Sequence, residues 1–284
     1  MINRLVKQLV SQILIIIAVK IYLHSWKIYQ MKRKRKTLGG IKEMADQGRF
    51  YYKNRWSTEI GLLIEYGQTF PLPERAINAI EVIGLDETVI FDQGYYKNVT
   101  IQFPVKLVPQ RGRTVKEQVH EIANWLYSTS YEKLITPDDK DYYRMVVFTN
   151  GSEFVEEMER FGKSVINFNA KPYRFSRLGD KVITILKKGT KFNNDGATTK
   201  PAIRVYASGD VDLFINKQKM TLRGLNGFIE LDSFMMTAKD AAGSNISHRV
   251  TSYPFLVLEP GENIINWTGG ALTKIEIIPR WQKL

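Results

Sequence analysis

Apolar and polar positions alternate with a period of two over much of residues 50–284. In residues 97–108, for example, Val99, Ile101 and Phe103 fall on one side of an extended chain and polar residues on the other. Short runs of this kind recur along the sequence, among them the strand candidates 76–83 and 87–91, and end at Gly, Pro, Asn or Asp, which favour turns. The pattern predicts a mainly β protein built from antiparallel sheets with one buried face.

The second half of the chain is organised around its closing stretch. Three apolar runs of strand length share this stretch, and each ends at glycine or proline: 255–258, 263–267 and 272–278. Glycine supplies positive φ angles at corners and proline cannot donate to a β-ladder, so the runs cannot merge into one helix. We therefore predict a closing meander with turns at Pro260-Gly261 and Gly269-Gly270.

Short strand-like runs precede this meander at even spacing: 182–186, 202–207, 211–215, 220–222 and 228–231. A turn at Ser208-Gly209-Asp210 is predicted between the second and third of these runs. Many short strands at even spacing are typical of a β-sandwich. The spacing predicts a second domain of jelly-roll type over residues 179–284, after a linker near residues 176–180.

One helix is predicted over residues 114–127. Thr114 is a candidate N-cap, because Glu117 follows it at the spacing of a capping box. An apolar stripe follows, which we expect to cover one face of a sheet rather than to bind a partner: Val115, Val119, Ile122, Ala123 and Leu126.

The segment after strand 142–149 gives two conflicting signals. Asn150-Gly151 is typical of a hairpin turn. Phe154, Met158 and Phe161 have helical spacing, yet they lead directly into an alternating run, so helix and strand both stay open for this segment.

The charge of the chain is unevenly distributed. The 284 residues carry a formal charge of +12, but residues 1–43 hold ten Lys or Arg and a single acidic residue, so the remainder is nearly balanced. The basic total is therefore not the footprint of a nucleic-acid-binding surface, and no sequence-specific nucleic acid binding is expected.

Residues 1–43 form an atypical leader of apolar and basic residues. Apolar positions recur at helical spacing, but the unbroken apolar run covers only residues 13–19. This run is shorter than the roughly 20 residues of a membrane span. Two interpretations stay open: a weak anchor on the inner leaflet, or a leader that is absent from the mature protein because translation starts at Met44.

The sequence shows no assembled catalytic, cofactor or metal site. Cysteine is absent, the three histidines lie far apart, and no nucleotide-binding glycine loop or hydrolase motif occurs. We therefore expect no cofactor and no enzymatic activity. Asp210, Asp212 and Asp232 could ligate calcium, but their spacing matches no known calcium loop, and aspartates at turns explain them more simply.

Two further sets of residues have alternative interpretations. The acidic side chains between residues 153 and 159 could suggest acid–base chemistry: Glu153, Glu156, Glu157 and Glu159. No apolar neighbours are arranged to raise a carboxyl pKa, so we predict a solvated face. Trp267 could stack against a sugar, or it could belong to the core.

The ordered set of motifs resembles one family, the siphophage distal tail proteins. Similarity to their N-terminal domain rests on three pieces: 59–65, Pro71-Leu72-Pro73-Glu74-Arg75 with the strands around 95–108, and 164–173 ending in Lys171-Pro172-Tyr173. Similarity to their galectin-like domain rests on four: 193–196 before Pro201-Ala202-Ile203, the Asn216 turn, 229–232 and 254–267. The resemblance covers about residues 44–284; the leader departs from it.

The resemblance implies both a fold and a structural role. The fold would comprise two β-sandwich-like domains: residues 44–178, ring-forming with one packed α-helix, and residues 179–284, galectin-like. Six copies would form a ring hub that joins the tube of a long non-contractile tail to the tail-tip and host-adsorption apparatus and lets DNA pass. Implied partners are the tail tube protein, a tail-tip lysin or fibre protein and a receptor-binding protein. The implied locations are the virion tail tip and, during assembly, the host cytoplasm.

Two other classes of function compete with the ring hub. A carbohydrate-binding jelly-roll module would use Trp267, with Tyr206 and Phe214 nearby, to recognise a host surface. A membrane-anchored surface protein would use the leader instead, although no membrane partner is expected for the body of the chain.

Overall fold

Strand pairing groups most of the described residues into two large antiparallel sheets and one separate hairpin. The computed structural model describes residues 48–65 and 70–284. The leader of residues 1–43 and the predicted start at Met44 lie outside the described residues.

Nine strands and two α-helices make up the first part of the described chain. The strands are β1 Tyr51–Tyr52, β2 Arg55–Trp56, β3 Leu62–Ile64, β4 Arg75–Glu81, β5 Thr88–Tyr96, β6 Val99–Leu107, β7 Glu132–Ile135, β8 Tyr142–Phe148 and β9 Lys163–Ser176. The helices are α1 Val115–Leu126 and α2 Gly151–Phe161, and short 3-10 turns cover Ser57–Ile60, Pro137–Asp139 and Arg177–Asp180.

The first sheet has the strand order β2-β1-β7-β8-β9-β6-β3. Its inner face buries a cluster of aromatic rings, with Phe50 and Phe103 stacked at 5.5 Å between centroids and Phe168 packed edge-on against both. Helix α1 adds Ile122 and Leu126 to the same core. The predicted helix is therefore confirmed, and so is its apolar stripe except for Val115, which is 41 % exposed.

Helix α2 decides between the helix and the strand that the sequence left open after β8. The hairpin turn predicted at Asn150-Gly151 is wrong, because α2 begins there. The Asn150 side chain instead reaches β9, donating to the Val165 carbonyl and accepting from the Asn167 N–H. The Asn150 side chain thus takes the place of a backbone strand pairing. The first half of the chain packs two α-helices, whereas one was predicted.

Eight strands make up the second part of the chain. They are β10 Ile183–Ile185, β11 Thr190–Asn194, β12 Ala202–Ile215, β13 Gln218–Asn226, β14 Ile229–Asp232, β15 Thr237–Lys239, β16 Gly261–Ile278 and β17 Gln282–Lys283, with a 3-10 turn at Ser247–Arg249. Strands β10 to β16 form the second sheet.

Two long strands, β12 and β16, run through the whole second sheet and pair with each other. The first part of β12 pairs with β14, and its last part pairs with β13. On the other side, β11 and β10 pair with the first and last parts of β16. Side chains from both ends of these strands share one core, so the bent sheet encloses it like a sandwich.

The bend lies where two turns had been predicted, and both predictions are wrong. The register of β12 against β16 shifts between Ser208 and Val211, opposite Gly269 and Gly270, and neither strand ends there. The two glycines have φ angles of 75° and 51°, so they supply a bulge within one strand rather than a corner between two.

The strand predicted over residues 255–258 is also wrong. Phe255 and Leu256 are buried in the second core, which explains their apolar character. Val257 exchanges two hydrogen bonds with the side-chain amide of Gln218, at 2.9 and 3.1 Å, instead of joining a ladder. The closing meander thus reduces to one long strand, whereas the prediction of a mainly β chain is confirmed.

Candidate functional site

The hairpin of β4 and β5 is the most exposed regular element of the described chain. Its two strands pair only with each other among the described residues, through the register Asn78 to Phe91 and Ala79 to Ile90. Of the hairpin's residues, only Ala76 belongs to the buried set. The strands were predicted, but their isolation from both cores was not.

Both faces of this hairpin carry exposed apolar side chains. Antiparallel partners share a face, so Ile80, Val89 and Phe91 lie on one face while Ile77 and Ile90 lie on the other. Ile90 is 66 % exposed and Phe91 is 64 % exposed. A hairpin that faced solvent on one side would show apolar residues on one face only.

The base of the hairpin is held firmly against the first sheet. Arg75 donates three hydrogen bonds of 2.7–3.1 Å to the Asp92 carboxylate across the two strands. This guanidinium lowers the pKa of Asp92 from its ordinary value. The Tyr96 ring lies under Arg75 and packs edge-on against Tyr173 of β9. The hairpin, called the arm below, is therefore anchored at its base and free at its tip.

A second structural feature joins the two large sheets. Strand β17 leaves the second core and pairs with the end of β9, Gln282 opposite Phe175 and Lys283 opposite Arg174. Glycine is required beside it: a Cβ atom on Gly179 would lie 2.3 Å from the Trp281 nitrogen, and one on Gly196 would lie 2.1 Å from the Gln282 carbonyl oxygen.

Ionic and hydrogen-bonded groups reinforce the first sheet next to this junction. The Asp180 carboxylate accepts from the Tyr143 hydroxyl at 2.8 Å and from the Lys133 ammonium at 2.6 Å. Burial, followed by the hydrogen bond to Asp180, raises the pKa of Tyr143. The phenol therefore stays neutral and serves as a structural donor.

Trp267 does not form the sugar platform considered from the sequence. Its side chain is only 8 % exposed and packs in the core of the second sheet. A half-buried aromatic pair lies elsewhere, in a groove where Tyr206 and Phe228 meet edge-on with centroids 5.1 Å apart. Arg204 and Glu230 line the same groove and form a 2.6 Å ion pair.

The three aspartates considered as calcium ligands each pair with a separate basic side chain: Asp210 with Arg223, Asp212 with Lys219 and Asp232 with Arg280. Hydrogen bonds lower the pKa of all three, from the Gly224 N–H at Asp210 and from Lys219 and Arg280 at the others. No group of three or more candidate ligands comes together within residues 48–65 and 70–284.

The acidic residues of α2 also act separately. Glu157 accepts from the Ser164 hydroxyl at 2.7 Å, Glu156 lies 3.7 Å from Arg160, and Glu159 lies 3.5 Å from His120. The Glu157 contact holds α2 against β9, the Glu159 contact links α2 to α1, and the Glu156 contact lies on the surface of α2 itself. No helix within the described residues is long and apolar enough to cross a bilayer.

Comparison with known families gives a match in the N-terminal part of the chain. Residues 66–170 match the family model described as a phage tail protein RIFT-related domain, and this segment contains the exposed hairpin. Over this segment the chain is similar to phage tail proteins. The predicted resemblance to siphophage distal tail proteins is thereby confirmed. No curated protein sequence matches the chain.

Solved structures share the fold at low sequence identity. The crystal structure of the SPP1 Dit (gp 19.1) protein matches with a TM-score of 0.62 and 13 % identity, over 83 % of this chain and 98 % of that one. A chain of the phage P2 baseplate, activated with Ca, matches with a TM-score of 0.46 and 8 % identity, over 83 % and 98 %. The arrangement of β-sandwich-like layers is therefore the fold of SPP1 Dit.

Proposed function

We propose that the chain forms a hexameric ring hub at the distal end of a long non-contractile tail. The exposed hairpin carries this proposal. A two-stranded hairpin is marginally stable in water, and this one presents apolar side chains on both faces. Neighbouring molecules that cover both faces would remove this apolar surface from water.

The shape of this contact is compatible with a ring. A protruding arm docks on a different surface of the next copy, and the contact is heterologous when each arm passes to a further copy instead of being exchanged within a pair. Heterologous contacts that close after a fixed rotation generate rings with a central channel. The fold shared with SPP1 Dit, whose crystal structure is described as a paradigm of the hub adsorption apparatus, supports the same role.

The two sheets divide this role between them. We assign residues 44–178 to a ring-forming domain and residues 179–284 to a galectin-like domain. One face of the ring contacts the tail tube protein, and the other contacts the tail-tip lysin or fibre protein and a receptor-binding protein. DNA passes through the channel, and the ring assembles in the host cytoplasm before it joins the virion. The role is structural, without catalysis.

The solution mass of the full chain tests the ring. Light scattering over a wide concentration range is expected to give a mass near six protomers. Replacing Ile90 and Phe91 by Thr, which keeps a strand-forming residue at each position, is expected to reduce the mass toward one protomer. Phe161→Gln, on an exposed apolar residue of α2, serves as the matched control and keeps the ring. A wild-type monomer at every concentration contradicts the proposal.

The groove beside Tyr206 supports a second function, recognition of a host-surface saccharide. Its Tyr206–Phe228 floor offers aromatic surface and its Arg204–Glu230 pair offers hydrogen-bonding groups. A glycan screen with the full chain tests it: binding that disappears in Phe228→Ala but survives in Phe161→Gln supports the module, and no binding by the wild type contradicts it.

A further inference from the structure

We infer that the hairpin of one copy docks along the free edge of β10 in a second copy, adding its strands to the second sheet. This inference rests on the proposed ring and names the surface that receives the arm. The receiving surface, called the acceptor edge below, consists of residues 181–188.

The acceptor edge has the geometry that strand addition requires. Strand β10 pairs with β16 on one side, and no strand of the described chain pairs with its other side. The unpaired side therefore presents backbone N–H and C=O groups to solvent. Ile185 points into the core, whereas Val182 is 47 % exposed and Leu186 is 66 % exposed.

Charge distinguishes this edge and fits the hairpin. Lys181, Lys187 and Lys188 flank the exposed apolar residues, and none of them forms an ion pair with a carboxylate in residues 48–65 and 70–284. The hairpin of residues 75–96 carries one arginine against four carboxylates. Arg75 neutralises Asp92, which leaves three carboxylates around the tip without an ion pair among the described residues: Glu81, Asp86 and Glu87.

The hairpin strands are long enough to cover the acceptor edge. Its regular strand residues are Ile183–Ile185, and the two hairpin strands span seven and nine residues. Main-chain hydrogen bonds would give such a contact its strength, and alternate side chains would give it selectivity. Lysines on an edge can also act only to prevent unwanted pairing. Docking of the hairpin and mere prevention of unwanted pairing predict different effects when the charges are reversed.

The absence of cysteine allows a direct test by disulfide formation. Two hairpin variants of the full chain, Ala79→Cys and Ile90→Cys, are each mixed with Thr184→Cys and oxidised. Mixed disulfides are quantified by peptide mapping. Docking is expected to give about tenfold more mixed product than a control mixture with Ser152→Cys on α2, because it raises the local thiol concentration. Yields equal to the control from both hairpin positions overturn the inference.

Charge reversal gives an independent test with the solution mass as its readout. Lys187→Glu with Lys188→Glu is expected to lose the six-protomer mass, as is Asp86→Lys with Glu87→Lys. The chain carrying all four changes is expected to regain it, because the attraction returns with opposite signs. A six-protomer mass that survives Lys187→Glu with Lys188→Glu overturns the acceptor edge.

The outcomes separate this inference from the proposed function. If the hairpin variant with Thr at positions 90 and 91 loses the ring while the acceptor-edge variants keep it, the ring hub stands and the arm docks elsewhere. If the wild-type chain is a monomer and no mixed disulfide exceeds the control, both the ring and the acceptor edge are wrong.

Discussion

Arg280 and Asp232 are joined by two parallel hydrogen bonds, 2.9 Å from Nη1 to Oδ1 and 2.8 Å from Nη2 to Oδ2. Asp232 ends β14, and Arg280 lies just before β17 with a φ angle of 55°. The same carboxylate accepts the backbone N–H groups of Phe234 and Met235. The pair therefore holds the turn after β14 against the segment that leads to the first sheet.

Asp232→Asn is expected to lower the free energy of unfolding by about 1–2 kcal/mol, because it removes a charge-assisted pair and leaves a partly buried guanidinium without its carboxylate. Denaturant unfolding followed by fluorescence measures the loss. Asp141→Asn is the matched control, since Asp141 is exposed, lies outside the hairpin and has no ion pair among the described residues. Equal stability of the wild type and Asp232→Asn would show that the pair adds nothing.

The same pair predicts a pH dependence with a definite sign. Arg280 lowers the pKa of Asp232 in the folded state below its unfolded value of about 3.9. The resulting stabilisation is fully present above that unfolded pKa and is lost as the pH falls through the folded pKa. The stability difference between wild type and Asp232→Asn should therefore be constant near neutral pH and shrink in acid. A difference that grows below pH 4 would contradict this assignment.

Local signals predicted those elements whose cause lies within a few residues. Thr114 and Glu117 close the capping box of α1, with a 2.9 Å bond from the Thr114 N–H to the Glu117 carboxylate. That contact spans three residues, so the sequence alone contains it. Alternation similarly located β6, although it could not show which apolar faces another part of the chain covers.

The errors arose where a distant partner decides the structure. Glycine permits positive φ equally at a turn and at a bulge, and only the facing Ser208–Val211 segment makes Gly269-Gly270 a bulge. Phe255 is apolar because it fills the core. The Gln218 side chain accepts the hydrogen bond of the nearby Val257 N–H, which a strand partner would otherwise accept. The apolar alternation of β4 and β5 likewise predicted strands but concealed their exposure, since a covered face and a docking face have the same pattern.

The bulge predicts an unusual cost for Gly269→Ala. Gly269 has a φ angle of 75°, and an added Cβ atom would lie 2.5 Å from the Asp210 carbonyl oxygen. Strain and clash together are expected to cost about 2–3 kcal/mol of unfolding free energy. Gly243→Ala is the matched control, because its φ angle is 83° but nothing lies within 4 Å of the added atom. Equal losses in both variants would show that the close approach across β12 and β16 has no effect.

Trp267→Ala is expected to affect folding rather than recognition. The ring is buried in β16, opposite Leu213 of β12, and its removal leaves a cavity inside the second core. Large-to-small changes of this kind cost about 3–5 kcal/mol, so thermal unfolding should shift to much lower temperature. Trp267→Phe, which keeps an aromatic ring at the site, should recover part of that loss. The opposite result would be a Trp267→Ala chain that unfolds like the wild type but no longer binds a glycan that the wild type binds. That result would restore the sugar-platform interpretation, because loss of a buried ring must also destabilise the core.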